Sequence, residues 1–178
     1  RLKGLAYGVW RGGQLAHMAC LGQADVERNV PIRDDTIYRI YSMTKPIASV
    51  ALMMLVEEAK IAQDDPVHRY IPSWKSLGVY VNGLPGEYIT RPVERPMQVV
   101  DLLRHTSGLT YGFQNRTTVD AAYRKAHIGV IGKTVGLEDL VETLAGIPLE
   151  FSPGSAWNYS VSTDIVGYLV QKVSGQKL

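Results

Sequence analysis

Several features that would immediately assign a protein to a class are scarce or absent in this sequence. It holds one cysteine, Cys20, so an internal disulfide is impossible. No apolar run reaches the roughly 20 residues of a membrane-spanning helix, and the longest candidate, PIASVALMMLVEEAK, ends in charges. The net charge is only +2, without a basic stripe interleaved with aromatic residues. We therefore expect no membrane segment and no nucleic-acid partner.

Motifs of several common hydrolases are also missing. There is no GxSxG elbow and no HExxH helix, so neither an α/β-hydrolase nor a zinc protease is indicated. Asp64 and Asp65 fit a turn and a cap better than a catalytic carboxylate pair. The histidines have no metal-ligand spacing; they are His17, His68, His105 and His127. We expect no metal and no other cofactor.

The composition is that of a globular domain, with 46% hydrophobic and 20% charged residues. The β-type patterns lie at the N-terminal end, where two apolar stretches flank RGG and DTIYRIYS alternates. We predict that residues 1–41 form the first strands of a sheet and that residues 42–178 are mostly helical. A hairpin plus one strand is too small for a stable sheet. We therefore expect this chain to be the N-terminal portion of a longer one, with the C-terminal part of the fold absent.

Helical periodicity begins directly after that alternating stretch. One buried helix face is predicted from apolar residues at helical spacing: Ile47, Val50, Ala51, Met54 and Leu55. Residues 61–96 are predicted to be mostly loop with one short strand at LGVYVNG. Further helices are predicted in four segments: MQVVDLLRHTSGL, VDAAYRKA, LEDLVETLAG, which Gly146 closes, and STDIVGYLVQKVSG.

The stretch YSMTK, residues 41–45, places a serine and a lysine three positions apart at the predicted helix start. Residues with this spacing share a helix face, so the Lys45 amine can reach the Ser42 hydroxyl. A neutral lysine can accept a proton from serine, which suits acyl transfer. The same spacing also occurs by chance, as in SGQK, where Ser174 is better explained as a helix end. From spacing alone, ordinary residues of a helix start are the more common explanation of Ser42 and Lys45.

A longer segment decides between these interpretations. TIYRIYSMTKPIASVALMMLVEEAKIAQDDPVHRYIP resembles the nucleophile region of the serine β-lactamase-like superfamily, which includes class C β-lactamases, DD-peptidases and family VIII carboxylesterases. LLRHTSGL and FSPGSAWNYS extend the resemblance in the expected order over essentially the whole chain. It implies an α+β fold of the β-lactamase/DD-peptidase type, in which an antiparallel sheet is flanked by helices and accompanied by a mostly helical subdomain.

Carried over onto this sequence, the resemblance implies that Ser42 is the nucleophile, Lys45 its hydrogen-bonded partner and Tyr159 the tyrosine of the second motif. A phenol beside a cationic lysine becomes a usable base. Without the resemblance, Tyr159 would be interpreted as a packing aromatic. Tyr80 is a competitor because YVN fits the lactamase tyrosine–x–asparagine pattern, but it lies in a predicted strand, and we expect it to be structural. His105 in HTSGL is expected to brace the loop near the site.

Two departures from the family pattern limit the prediction. Val161 stands where β-lactamases and peptidases carry an asparagine that binds the acylamino group, which favours an ester substrate. The third motif, which in the family gives one N–H of the oxyanion hole, would lie beyond Leu178. Loss of one such donor costs on the order of 10²–10³ in rate, so we expect this segment alone to be inactive.

The resemblance thus implies a serine hydrolase that performs two-step acyl transfer through a Ser42 acyl-enzyme. A carboxylesterase acting on small or short-chain esters is the first hypothesis. A β-lactamase or D-alanyl-D-alanine carboxypeptidase, a transesterase, and a non-catalytic ligand-binding homologue stay open. The expected partners are a small-molecule ester or amide substrate and the remainder of its own fold. The first residue is Arg1 rather than methionine, and the cellular compartment and oligomeric state stay undetermined.

Overall fold

A computed structural model describes residues 2–129 and 136–177. The chain divides into two compact units, Arg1–Tyr41 and Ser42–Leu178. The first unit is a small antiparallel sheet. The second holds five α-helices and a two-stranded hairpin among its described residues. Within the described ranges, no helix is both long enough and apolar enough to cross a lipid bilayer.

The sheet of the first unit runs in the order β1 (Gly4–Arg11), β2 (Gln14–Asp25) and β3 (Val30–Pro31). The predicted hairpin is confirmed, because β1 pairs antiparallel with β2 across Gly12 and Gly13. Both glycines have positive φ angles, +58° and +76°, which a tight turn between strands requires.

The predicted strand at DTIYRIYS is wrong. Residues 36–40 form neither strand nor helix, and Ile37 is 97% exposed. Alternation of apolar and polar residues fits a pleated strand, but a strand also needs a neighbour to take its backbone hydrogen bonds. The described residues supply no such neighbour to this stretch.

The second unit is built mainly from helices. They are α1 (Thr44–Glu57), α2 (Val99–Arg104), α3 (Thr118–Lys125), α4 (Leu137–Ala145) and α5 (Ser162–Ser174). Short 3-10 helices lie at Tyr41–Met43, Val67–Arg69, Pro72–Ser76 and Gly112–Gln114. The predicted strand near residue 80 is β4 (Val79–Leu84), and it pairs with β5 (Glu87–Arg91), which the sequence analysis placed in a loop. The proline-rich surroundings of β5 hid its strand character.

Helix α5 is the centre of the helical unit. It packs against α1, α2 and α4. Its predicted apolar side is confirmed, with Ile165, Val166, Leu169 and Val170 buried and Val173 partly buried. Tyr159 lies three residues before this helix, so its backbone is joined to an element with a largely buried apolar side.

The predicted buried face of α1 is largely wrong. Ile47, Val50 and Met54 are 61%, 60% and 56% exposed, whereas Leu52 is fully buried. The helix is apolar on more than one side, so periodicity could not select the side that packs against α5. The packed side carries Ala48, Leu52 and Leu55.

Candidate active site

The start of α1 brings a serine and a lysine together. Ser42 lies in the 3-10 turn just before the helix, and Lys45 lies in the first helical turn. The Lys45 Nζ donates a hydrogen bond to the Ser42 Oγ over 3.2 Å. Pro46 follows within that first turn, where its missing N–H costs no intrahelical bond. The local sequence therefore favours a helix that starts here and presents both side chains on one face.

Tyr159 completes a three-residue cluster. Its Oη lies 2.6 Å from the Ser42 Oγ, and the Lys45 Nζ lies 4.6 Å from the centre of its ring. All three residues belong to the helical unit. Ser42 is exposed, while Lys45 and Tyr159 are partly buried. The three residues named from the sequence are thus adjacent in space.

The surroundings of Tyr159 favour its ionised form. Hydrogen bonds from the Lys45 and Ser42 side chains lower the pKa of the Tyr159 phenol below its ordinary value of 10.0. Partial burial acts in the opposite direction but is outweighed. A phenolate held next to a serine hydroxyl at hydrogen-bond distance is a chemically competent base.

Aromatic rings extend from Tyr159 in two directions. On one side Tyr111 lies 5.4 Å from it, and Phe113 stacks on Tyr111 at 4.9 Å. On the other side His105 lies 4.9 Å from Tyr159, and Trp157 meets His105 edge-on at 6.1 Å. The outer members of this aromatic row, Phe113 and Trp157, are 63% and 66% exposed. These two exposed side chains, which are linked to Tyr159 through Tyr111 and His105, form the exposed rim of the cluster.

Tyr111 was missed by the sequence analysis. Burial raises the pKa of its phenol, so this hydroxyl stays protonated where Tyr159 ionises more easily. The Lys45 Nζ lies 5.9 Å from the centre of the Tyr111 ring. The segment after Thr110 has no periodicity, and no pattern in it pointed to the site.

A buried hydroxyl chain lies behind Tyr159. The Ser107 Oγ is 2.8 Å from the Ser162 Oγ, which is 2.7 Å from the Ser160 Oγ. Ser107 is fully buried and its hydroxyl also accepts the Leu109 N–H. These bonds connect the HTSGL loop to the start of α5.

Gly108 in the same loop allows a close backbone approach. It has a φ of +86°, and a side chain there would place its Cβ 2.4 Å from the Phe151 carbonyl oxygen. Only glycine satisfies both conditions. Two of the segments that carry the family resemblance, HTSGL and FSPGSAWNYS, are therefore packed against each other.

The weaker candidates serve structural roles. The Tyr80 hydroxyl donates to the Gly83 carbonyl within the β4–β5 hairpin, over 3.0 Å. Asp65 accepts hydrogen bonds from the Ala62 N–H and the Tyr70 hydroxyl, as a turn residue does. Ser174 is the last residue of α5, as interpreted from the sequence. In the described part of the chain, no group of three or more histidine, cysteine or acidic residues is arranged to hold a metal ion.

Comparison with known proteins defines the class. The family model described as Beta-lactamase matches residues 1–178. Esterase EstB of Burkholderia gladioli is 33% identical over 180 residues, which cover 100% of this chain and 43% of EstB. A putative D-alanyl-D-alanine carboxypeptidase of Escherichia coli is 29% identical over 161 residues, 88% of this chain and 33% of that protein.

A solved structure gives the same result at the level of the fold. EstCE1, described as a hydrolase with promiscuous acyltransferase activity, superposes with a TM-score of 0.76 at 27% identity. The match covers 98% of this chain and 42% of EstCE1. The chain thus has the α+β fold of β-lactamase-like proteins and belongs to the beta-lactamase family. It spans less than half the length of these relatives.

Proposed function

We propose that the protein is a serine hydrolase that transfers acyl groups in two steps through an ester on Ser42, and that its substrates are small or short-chain carboxylic esters. The observation that carries the proposal is the 2.6 Å separation between the Ser42 Oγ and the Tyr159 Oη, with the Lys45 Nζ donating to the same serine. A nucleophile, its base and a charge that activates the base are all in contact.

The first step follows from this geometry. The Ser42 Oγ attacks the ester carbonyl carbon while its proton passes to the Tyr159 phenolate. Positive charge on Lys45 favours that phenolate before the attack. The carbonyl oxygen becomes an oxyanion, for which the Ser42 N–H is one donor. Collapse of the tetrahedral intermediate breaks the bond to the alcohol, and the Tyr159 hydroxyl returns its proton to the departing oxygen.

The second step uses the same groups. A water molecule gives a proton to Tyr159 and attacks the acyl carbon, and the proton then returns to the Ser42 oxygen as the acid leaves. An alcohol in place of water would give transesterification by the same path. The similarity to EstCE1, a hydrolase with promiscuous acyltransferase activity, supports testing an alcohol acceptor as well.

The environment of Val161 favours esters over amides as substrates. Its side chain is 2% exposed and belongs to the apolar core, so this position offers no polar group to a substrate. A peptide or β-lactam carries an acylamino group, whose polar atoms need partners when water is excluded. A simple ester makes no such demand. The similarity to the esterase EstB points in the same direction.

Covalent labelling of the full-length protein tests the enzyme class. A fluorophosphonate probe should label the wild type and fail to label S42A. The matched control is S49A, which changes a serine of α1 seven residues further along the helix and should leave labelling intact. Folded wild-type protein without labelling would favour the non-catalytic ligand-binding homologue.

The substrate class needs a second measurement. We expect p-nitrophenyl acetate or butyrate to be hydrolysed far faster than nitrocefin. If the order of rates is reversed, the protein is a β-lactamase or carboxypeptidase, and the ester proposal is wrong.

A further inference from the structure

His105 makes three contacts with Tyr159, the candidate base, and with the residues on either side of it. Its carbonyl oxygen accepts the N–H of Asn158 over 2.9 Å, and its Nδ1 accepts the N–H of Ser160 over 3.3 Å. Its ring lies 4.9 Å from the ring of Tyr159. One residue thus holds the backbone on both sides of Tyr159 and also contacts its ring.

The chain holds His105 itself in an uncommon conformation. It ends α2 with a φ of +57°, in the left-handed region that most side chains avoid. Its N–H donates to the Asp101 carbonyl, and the Thr106 N–H donates to the same oxygen over 2.9 Å. The Asp101 carboxylate is fixed in turn by two 2.7 Å bonds from Arg95. The backbone on each side of His105 is therefore anchored to an ion pair of the buried Asp101 with the partly exposed Arg95.

The contact with Ser160 defines the protonation of the imidazole. A backbone N–H can only donate, so the Nδ1 of His105 must be the unprotonated acceptor, and in the neutral ring the proton lies on Nε2. Burial and the positive charge of Lys45 lower the pKa of His105, which favours the same neutral form. The Ser160 Oγ, 3.2 Å from Nδ1, joins the imidazole to the buried hydroxyl chain.

We propose that His105 is a positioning residue for acyl transfer: its neutral imidazole and its carbonyl clamp residues 158–160 so that the Tyr159 Oη stays in contact with the Ser42 Oγ. This inference rests on the proposed role of Tyr159 as the base. His105 does not touch the reacting atoms and transfers no proton. Its contribution is geometric, because a displacement of about 1 Å in a catalytic group can cost about 10²-fold in rate.

Two polar substitutions separate this role from simple packing. Asparagine in H105N places its Oδ1 near the position of Nδ1 and tolerates a positive φ. Glutamine in H105Q carries its oxygen further out, near the position of Nε2, and leaves the Ser160 N–H without an acceptor. H127Q is the control for glutamine at a positive φ, because His127 is exposed and has a φ of +56°.

The experiment measures kcat, KM and thermal stability with p-nitrophenyl butyrate in the full-length protein. We expect H105Q to lower kcat about 10- to 100-fold with KM within about twofold, and H105N to stay within about fivefold of the wild type. H127Q should match the wild type. Should H105Q fail to fold, H105G takes its place with the same expected loss, since glycine suits the left-handed backbone.

Two outcomes would overturn the proposal. One is a folded H105Q with wild-type kcat. The other is an equal loss in H105N and H105Q that follows their thermal stability. A wild-type protein that neither hydrolyses the ester nor binds the fluorophosphonate would instead overturn the proposed function.

Discussion

The side-chain oxygens of Ser42 and Tyr159 lie 2.6 Å apart, although 117 positions separate the two residues in the chain. The contact joins an exposed serine to a partly buried phenol. Helix α1 positions the serine, and the packing of the HTSGL loop against the start of α5 positions the phenol.

Removal of the phenol should abolish most of the activity. We expect Y159F to lower kcat for p-nitrophenyl butyrate by about 10²- to 10⁴-fold, the usual contribution of a positioned acid–base group. Y80F is the matched control, because the Tyr80 hydroxyl donates to the Gly83 carbonyl within its own hairpin. Equal rates for Y159F and the wild type would remove Tyr159 from the mechanism.

The activity should rise with pH as Tyr159 ionises. Since Lys45 and Ser42 lower the pKa of this phenol, the midpoint of kcat/KM against pH should lie below the ordinary value of 10.0. K45M removes the largest cause of the lowering, so the phenol should then titrate at higher pH. Ultraviolet titration of tyrosinate in K45M, compared with K45M/Y159F, measures that midpoint. A midpoint in K45M equal to or below that of the wild type would contradict this electrostatic assignment.

Asp120 should make the stability depend on pH. Its side chain is fully buried, and this burial raises the pKa of the carboxyl. Hydrogen bonds from the N–H groups of Arg116 and Thr117 and from the Arg124 side chain lower the pKa by more than burial raises it, so the net shift is downward. A folded-state pKa below 3.8 means that the carboxylate stabilises the fold above that pH and that this contribution is lost as pH falls through the folded value.

We expect D120N to lower the free energy of unfolding by about 2 kcal/mol at neutral pH, since its hydrogen bonds are to a charged group. Denaturant unfolding across the acid range should show that the difference from the wild type shrinks at low pH. D64N is the control, because Asp64 is exposed. A constant difference at every pH would argue against a charged Asp120.

Gly108 should tolerate no side chain. G108A combines a φ of +86° with a Cβ 2.4 Å from a carbonyl oxygen, whereas G86A has a φ of +104° and nothing within 4 Å. We expect G86A to cost about 1–2 kcal/mol for the left-handed backbone and G108A about 1–3 kcal/mol more for the overlap. Denaturant unfolding of both variants separates the two causes. Equal costs would mean that the loop shifts to relieve the contact.

The sequence predicted some elements better than others for identifiable reasons. Helix α5 was predicted well because its apolar residues form one side and its ends are marked by polar residues and Gly175. Helix α1 was placed correctly, but Ile47 and Val50 were assigned to the wrong environment because apolar residues surround the helix. The stretch around Ile37 alternates like a strand, but alternation does not supply the neighbouring strand.

The residues of the candidate site also differ in how far the sequence alone predicted them. Ser42 and Lys45 are close in sequence, so helix geometry alone predicted their contact. Tyr159 came only from the family resemblance, because no local rule relates it to α1. The contacts of His105 with residues 158–160 could not be predicted, since they depend on a left-handed turn and on bonds between segments about 50 residues apart.

The exposed rim has a practical consequence for changing selectivity. Phe113 and Trp157 are mostly solvent-accessible, and neither side chain makes a hydrogen bond among the described residues. Libraries that vary these two positions would alter what surrounds an incoming acyl or alcohol group and leave the buried core unchanged. Directed evolution toward bulkier or more polar esters would begin there.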